Sequence, residues 1–82
     1  MKELKDTIDM MTSADYKERF KAEYYQIEIR LDKLTDMLEK WDNNELHFKP
    51  TCPRELYNQQ VCGMVEYLNV LRTRADIEGI EL

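Results

Sequence analysis

Hydrophobic side chains recur at alternating steps of four and three residues along the middle of this chain. No Gly or Pro occurs between residues 14 and 42, so nothing in the composition of that stretch interrupts a helix. The recurring positions are Phe20, Tyr24, Ile27, Leu31, Leu34, Leu38 and Trp41. This is the period of a helix that packs along one stripe against another helix. The pattern predicts a long helix over residues 13–43.

A second stripe with the same spacing follows a predicted loop over residues 44–51. Pro53 suits the first position of a helix, and Glu55 occupies the acidic position of a capping box. The stripe consists of Tyr57, Val61, Met64, Leu68, Leu71 and Ala75. The spacing therefore predicts a second long helix over residues 52–78.

Gly79 fits the left-handed residue that often ends a helix, and Ile80 is expected to fold back onto Ala75 or its neighbours.

The start of the chain predicts a short helix over residues 1–12, because Leu4, Ile8 and Met11 share one narrow face. Thr12 and Ser13 interrupt it, and either hydroxyl is expected to cap the first long helix.

These elements predict an all-α chain, a single helical domain over residues 1–82 in which two long antiparallel helices form an αα-hairpin. A chain of 82 residues buries only about 60–65% of the surface that its unfolded form exposes, so help from an oligomer is expected. Six apolar residues lie off the two stripes and need further partners: Tyr25, Ile29, Met37, Val65, Val70 and Ile77. The short N-terminal helix can cover some of them. Other copies of the chain are expected to cover the rest, in an oligomeric helical assembly.

Charge and composition argue against several classes of function. The formal net charge of −5 disfavours binding to duplex nucleic acid or to anionic membranes. No apolar run approaches the length of a signal peptide or a membrane span, so we expect a cytoplasmic protein. One His and two separated Cys do not form a closed metal site, and neither a phosphate loop nor a catalytic motif is recognisable. We expect no metal, no cofactor and no enzymatic activity.

Tyr16 and Arg19 form the best candidate binding site, because they precede the regular stripe and share one face of the helix at i and i+3. An aromatic ring can stack on a nucleobase, and arginine binds phosphate through charge-assisted hydrogen bonds. Arg30 and Lys33 form a second basic pair. The alternative interpretation is a solvated helix face with cations near a helix C-terminus.

Gly63 lies inside the second long helix. Such a glycine marks the close approach of another helix or of a ligand, and close helix packing is the more common cause.

The chain resembles small phage helical proteins of the anti-CBASS cyclic-oligonucleotide sponge type. The first matching element is an aromatic-x-x-Arg start followed by an acid, here Tyr16, Arg19 and Glu23. The others are the run Arg30-Leu31-Asp32-Lys33-Leu34 and the pattern Gln60-x-x-x-Met64-x-x-Tyr67-Leu68-x-Val70-Leu71-x-x-Arg74. The resemblance covers roughly residues 15–77.

This resemblance implies a homo-oligomer, in the sponges a hexamer, that binds a cyclic nucleotide immune signal in the host cytoplasm and withholds it without turnover. It places Tyr16 against the nucleobase and Arg19, Arg30 or Lys33 against the phosphates. A cyclic dinucleotide, a cyclic trinucleotide or a cyclic ADP-ribose variant could each be the ligand.

A different class of function stays open from the residues alone. Strict heptad spacing and an acidic surface also suit a homo-oligomeric adaptor or structural protein that recognises a protein partner. An acidic mimic of DNA is a third option.

Overall fold

A computed structural model describes residues 3–82 and is helical throughout its regular structure. A 3₁₀ helix (Leu4–Thr7) continues into α1 (Ile8–Met11), and α2 (Tyr16–Asp42) and α3 (Arg54–Glu78) follow. The predicted all-α class is confirmed. Met1 and Lys2, which the sequence places in the short helix, lie outside the described residues. Between residues 3 and 82, no helix has both the length and the apolar character needed to cross a membrane.

The start of α2 differs from the prediction. Asp15 is the capping residue, since its carboxylate accepts a hydrogen bond from the backbone N–H of Lys17 at 2.9 Å. Ser13 supports this cap from outside the helix, because its hydroxyl accepts from the backbone N–H of Asp15 at 3.0 Å. The Thr12 hydroxyl instead donates back to the carbonyl of Ile8. The predicted cap by Thr12 or Ser13 is therefore wrong, and the helix begins at residue 16 rather than 13.

An ion pair joins the start of α3 to the end of α2. Pro53 precedes the helix in an extended conformation, so α3 begins at Arg54, two residues later than predicted. The Arg54 guanidinium donates to both carboxylate oxygens of Asp42, at 2.5 and 3.2 Å. It also lies 5.2 Å from the centroid of the Trp41 ring. This bidentate arginine–carboxylate pair links the two ends of the turn between the helices.

Both long helices end in a left-handed residue. Gly79 has φ +70°, and the backbone N–H of Ile80 donates to the carbonyl of Ala75 at 2.9 Å. Asn44 has φ +58° and serves α2 in the same way. Ile80 is buried in the same cluster as Ala75, which confirms the predicted return of the chain onto the helix.

The hydrophobic core lies where the first half of α2 packs against the second half of α3. Its buried members are Phe20, Tyr24, Leu68, Leu71, Ala75 and Ile80. Pairing of early α2 residues with late α3 residues makes the hairpin antiparallel, as predicted. Toward the loop fewer stripe residues are buried, and Leu38 is the one buried member there.

The N-terminal segment (residues 4–11) packs against a second face of α2. Thr7, only 1% exposed, donates to the carbonyl of Leu4 at 2.7 Å and accepts from the side-chain amide of Gln26 at 3.0 Å. Ala22 and Ile29 lie on the same face of α2 as Gln26, and both are buried. The segment thus supplies the partner that Ile29 needs.

The other off-stripe residues have different environments. Tyr25 and Met37 are half-buried, whereas Val65, Val70 and Ile77 on α3 are exposed. The structure describes one chain, so the oligomeric assembly stays a prediction. Of the off-stripe residues, the exposed ones that still need partners all lie on α3.

Candidate functional site

Tyr16 lies at the end of the hairpin where α2 begins and α3 ends. Its hydroxyl donates to the Glu78 carboxylate at 2.7 Å and accepts from the Arg74 guanidinium at 3.0 Å. Arg74 also donates to Glu78 at 3.3 Å, and its guanidinium carbon is 5.0 Å from the centroid of the Phe20 ring. The rings of Tyr16 and Phe20 meet edge to face, with centroids 6.3 Å apart. We call these four residues the Tyr16 cluster.

The Tyr16 cluster holds an aromatic ring in place and leaves it accessible. Tyr16 is 47% exposed although its hydroxyl is bonded on two sides. The hydrogen bond to Glu78 raises the pKa of Tyr16 above 10.0, and partial burial and the charge of Glu78 act in the same direction. Tyr16 is therefore neutral at physiological pH. A neutral, oriented and accessible ring is suited to stacking.

A second set of polar contacts joins α2 to α3 next to this cluster. The Tyr67 hydroxyl donates a hydrogen bond to Glu23, and this bond raises the pKa of Tyr67 above its ordinary value. Arg72 donates to the Tyr24 hydroxyl at 3.0 Å, with its guanidinium carbon 5.6 Å from the centroid of that ring. These pairs define the register in which the two helices meet.

Arg19 is tied to the segment before α2. Its guanidinium donates to the carbonyl of Ser13 at 2.8 Å. It lies one turn from Tyr16, as the spacing predicts, but the Tyr16 hydroxyl is bonded to Glu78 and Arg74 rather than to the carbonyl that Arg19 contacts.

Arg30 and Lys33 lie farther along α2. Arg30 is exposed and follows Arg19 by eleven residues, which is about 16 Å of helix. Lys33 lines a cavity of about 580 Å³ between the second half of α2 and the loop. The other lining residues are Asp36, Met37, Lys40, Glu45, Leu46, His47 and Phe48. The structure thus places the four predicted site residues in two groups, Tyr16 with Arg19 and Arg30 with Lys33, which do not converge within one chain.

The family model described as Sequestin matches residues 14–77. This chain belongs to the Sequestin family. The match covers both long helices and most of the Tyr16 cluster, and it agrees with the resemblance to sponge-type proteins. No curated protein and no solved structure matches the chain.

Arg74 belongs to the Tyr16 cluster but not to the site residues predicted from the sequence. Its guanidinium reaches the Tyr16 hydroxyl across 58 positions of sequence. Two features of the sequence indicated Arg74. It ends the matching pattern that begins at Gln60, and an antiparallel hairpin brings the end of α3 beside the start of α2. The register of that hairpin was needed to select it.

The Sequestin chain also carries two free, exposed cysteines, Cys52 and Cys62. Among residues 3–82, no group of three or more His, Cys, Asp or Glu side chains is placed to hold a metal ion.

Proposed function

We propose that this Sequestin-family chain is a phage anti-defence protein that binds a cyclic nucleotide immune signal of the host cell and sequesters it. The observation that carries the proposal is the Tyr16 cluster, in which an exposed aromatic ring and an arginine are hydrogen-bonded to each other. Base stacking and phosphate binding need this combination within a few ångströms. Family membership and the matching sequence patterns support the same function.

Each residue of the site has a distinct role in this proposal. Tyr16 stacks on a nucleobase, and Arg74 donates to a phosphate oxygen with the N–H groups that Tyr16 and Glu78 do not use. Arg19, one turn along α2, donates to the same or the next phosphate. Glu78 orients Tyr16 and Arg74 and repels phosphates that approach from its own side.

Arg30 and Lys33 enter the site from another protomer in this proposal. They lie too far along α2 to reach a small ligand held by Tyr16 of the same chain. A pocket between protomers brings the two groups together, in keeping with the homo-oligomer, a hexamer in the sponges, that the resemblance implies.

Isothermal titration calorimetry tests the proposal with a panel of cyclic dinucleotides, cyclic trinucleotides and cyclic ADP-ribose isomers. We expect saturable binding of at least one member, and mass spectrometry of the released ligand should show it chemically unchanged. No heat of binding across the panel, or a ligand that returns cleaved, would contradict the proposal.

Two substitutions at Tyr16 test the stacking role. Loss of a stacked base contact costs about 1–3 kcal/mol, so Tyr16→Ala should weaken binding by about 5- to 150-fold. Tyr16→Phe keeps the ring and removes only the hydroxyl, so it is the matched control and should retain most of the affinity. Equal losses in both variants would show that the hydroxyl, rather than the ring, contacts the ligand.

A further inference from the structure

A cavity of about 580 Å³ lies at the loop end of the hairpin, far along α2 from the Tyr16 cluster. Its helical wall comes from the second half of α2. Lys33, Met37 and Lys40 follow one another there at steps of four and three residues, so they share one face of the helix. We call this space the Phe48 cavity, after the aromatic residue of its opposite wall.

The turn after α2 brings the loop back to form that opposite wall. Asn44 has φ +58°, and the backbone N–H of Glu45 donates to the carbonyl of Lys40 at 2.8 Å. Residues 45–48 then run beside the helix, and all four line the cavity. The volume between helix and loop lies within the range of about 300–1,000 Å³ that small-molecule sites occupy.

The lining of the Phe48 cavity includes an aromatic ring that the chain leaves accessible. Phe48 is 57% exposed, and none of the three aromatic pairs within residues 3–82 includes it. Met37 and Leu46 line the same space and are half-buried. An accessible phenyl ring beside two aliphatic side chains offers a surface on which a second planar ring can stack.

The charged side chains of the Phe48 cavity have no ion-pair partners in the described chain. Two lysines, Lys33 and Lys40, and two carboxylates, Asp36 and Glu45, line the space. The four ion pairs formed within residues 3–82 all lie elsewhere. The charges of the four side chains balance one another. The cavity therefore suits a ligand that carries an anion at one point and hydrogen-bond donors at another.

A nucleoside monophosphate unit has the three features that this lining can bind. Its base is a planar ring for Phe48, and its phosphate accepts hydrogen bonds from lysine ammonium groups. The amino N–H groups of adenine, guanine or cytosine can donate to the carboxylates of Asp36 and Glu45. A simple anion would leave Phe48 uncovered. A purely apolar ligand would desolvate the charged groups without giving them partners.

We propose that the Phe48 cavity is a second nucleotide-binding site, which holds a nucleobase on Phe48 and the attached phosphate on Lys33 and Lys40. The proposal rests on the proposed function at one point, since it takes the anion at Lys33 to be a phosphate. Where Lys33 of one protomer meets a ligand held by Tyr16 of another, the cavity takes the base next to that phosphate.

NMR titration with 5′-AMP tests the cavity in a Tyr16→Ala chain, which lacks the stacking residue of the proposed function. His47 lines the cavity and is the single histidine of the chain, so its ring signals report on this place. We expect saturable shifts of the His47 and Phe48 ring signals with AMP, and much smaller shifts with adenosine or inorganic phosphate at equal ionic strength. No shift with AMP, or equal shifts with phosphate alone, would overturn the proposal.

Substitutions at Phe48 measure the contribution of the ring in the same titration. Loss of a stacked base contact should weaken AMP binding about 5- to 150-fold in Phe48→Ala, whereas Phe48→Tyr keeps a ring and should retain most of the affinity. Leu56→Ala is the matched control, because Leu56 is 53% exposed and does not line the cavity. Equal affinities of Phe48→Ala and the parent chain would refute stacking on Phe48.

Removal of both cavity lysines tests the phosphate contact. Lys33→Gln combined with Lys40→Gln should bind AMP no better than adenosine, because the group that distinguishes the two ligands has lost its partners. Lys5→Gln combined with Lys17→Gln removes the same charge away from the cavity and should keep the preference for AMP. An unchanged preference in the first variant would show that the phosphate is bound elsewhere and would refute the site.

Calorimetry with the cyclic ligands separates this proposal from the proposed function. Wild type should bind a cyclic ligand more tightly than Phe48→Ala does. Equal binding by the two chains would overturn the role of the Phe48 cavity and leave the proposed function standing. Absence of cyclic-ligand binding by wild type would contradict the proposed function, and the AMP titration would still decide whether the cavity binds a nucleotide.

Discussion

Three tyrosine hydroxyls lie at the contact between α2 and α3, and each is bonded to a charged side chain. Tyr16 donates to Glu78 and Tyr67 donates to Glu23, while Tyr24 accepts from an arginine. A carboxylate acceptor stabilises the protonated phenol, because a phenolate in the same place would face a like charge. The two donor tyrosines are therefore held neutral by their partners, and their hydroxyls fix the rings in register.

The alkaline titration of Tyr16 should depend on Glu78. The pKa of Tyr16 is raised above 10.0 in the folded chain, chiefly by this hydrogen bond. A raised pKa means that the contribution of this group to stability is complete below pH 10 and is lost as the pH rises through the folded value. In Glu78→Gln, the pKa should fall toward its ordinary value, as ultraviolet titration of tyrosinate in a chain with the other tyrosines changed to phenylalanine would show. Glu55→Gln, in the first turn of α3, is the matched control. An unchanged titration in Glu78→Gln would contradict the assignment.

The sequence predicted the existence and approximate length of the two long helices better than the residues at which they begin and end. Seven-residue periodicity is a property of many residues together, so one exception does not hide α2 or α3. A cap depends on one hydrogen bond, and Ser13 and Asp15 are equally good N-caps by residue type. Asp15 is the residue whose carboxylate reaches the backbone N–H of Lys17, and residue type alone does not show this. The Gly79 end was predicted correctly, because few residues other than glycine adopt its conformation.

Replacement of Gly79 by alanine should destabilise the chain. A residue with a Cβ atom pays about 1–2 kcal/mol in the left-handed conformation, and Gly79 has φ +70°. Gly79→Ala should therefore lower the free energy of unfolding in urea by about this amount. Asn44→Gly is the control at the corresponding end of α2 and should be neutral or slightly stabilising, since φ is +58° there. Equal stability of Gly79→Ala and wild type would show that the helix end can adopt another conformation.

The whole molecule is elongated. The contacts that its sequence did not predict are those between segments that lie far apart in the chain. Its radius of gyration is 15.0 Å, compared with about 12 Å expected for a compact chain of this length. The partner of Ile29 was not predicted, because the N-terminal segment meets that face of α2 through contacts between distant parts of the chain, such as the Thr7–Gln26 hydrogen bond. Arg74 was missed for the same reason, since its contact with Tyr16 exists only in one register of the hairpin. Tyr16 and Arg19 could be proposed because neighbours on one helix are visible in sequence.

The uneven core has a consequence for how the chain opens. Buried side chains are concentrated at the end that carries Tyr16, whereas the loop end has Leu38 alone. Amide protons near residues 35–42 and 54–61 should therefore exchange with solvent through partial opening, at a lower free energy than those of Leu68 and Leu71. Hydrogen–deuterium exchange read by NMR would show this gradient, and uniform protection along both helices would contradict it. The loop end can then fray and close while the ring of Tyr16 keeps its place.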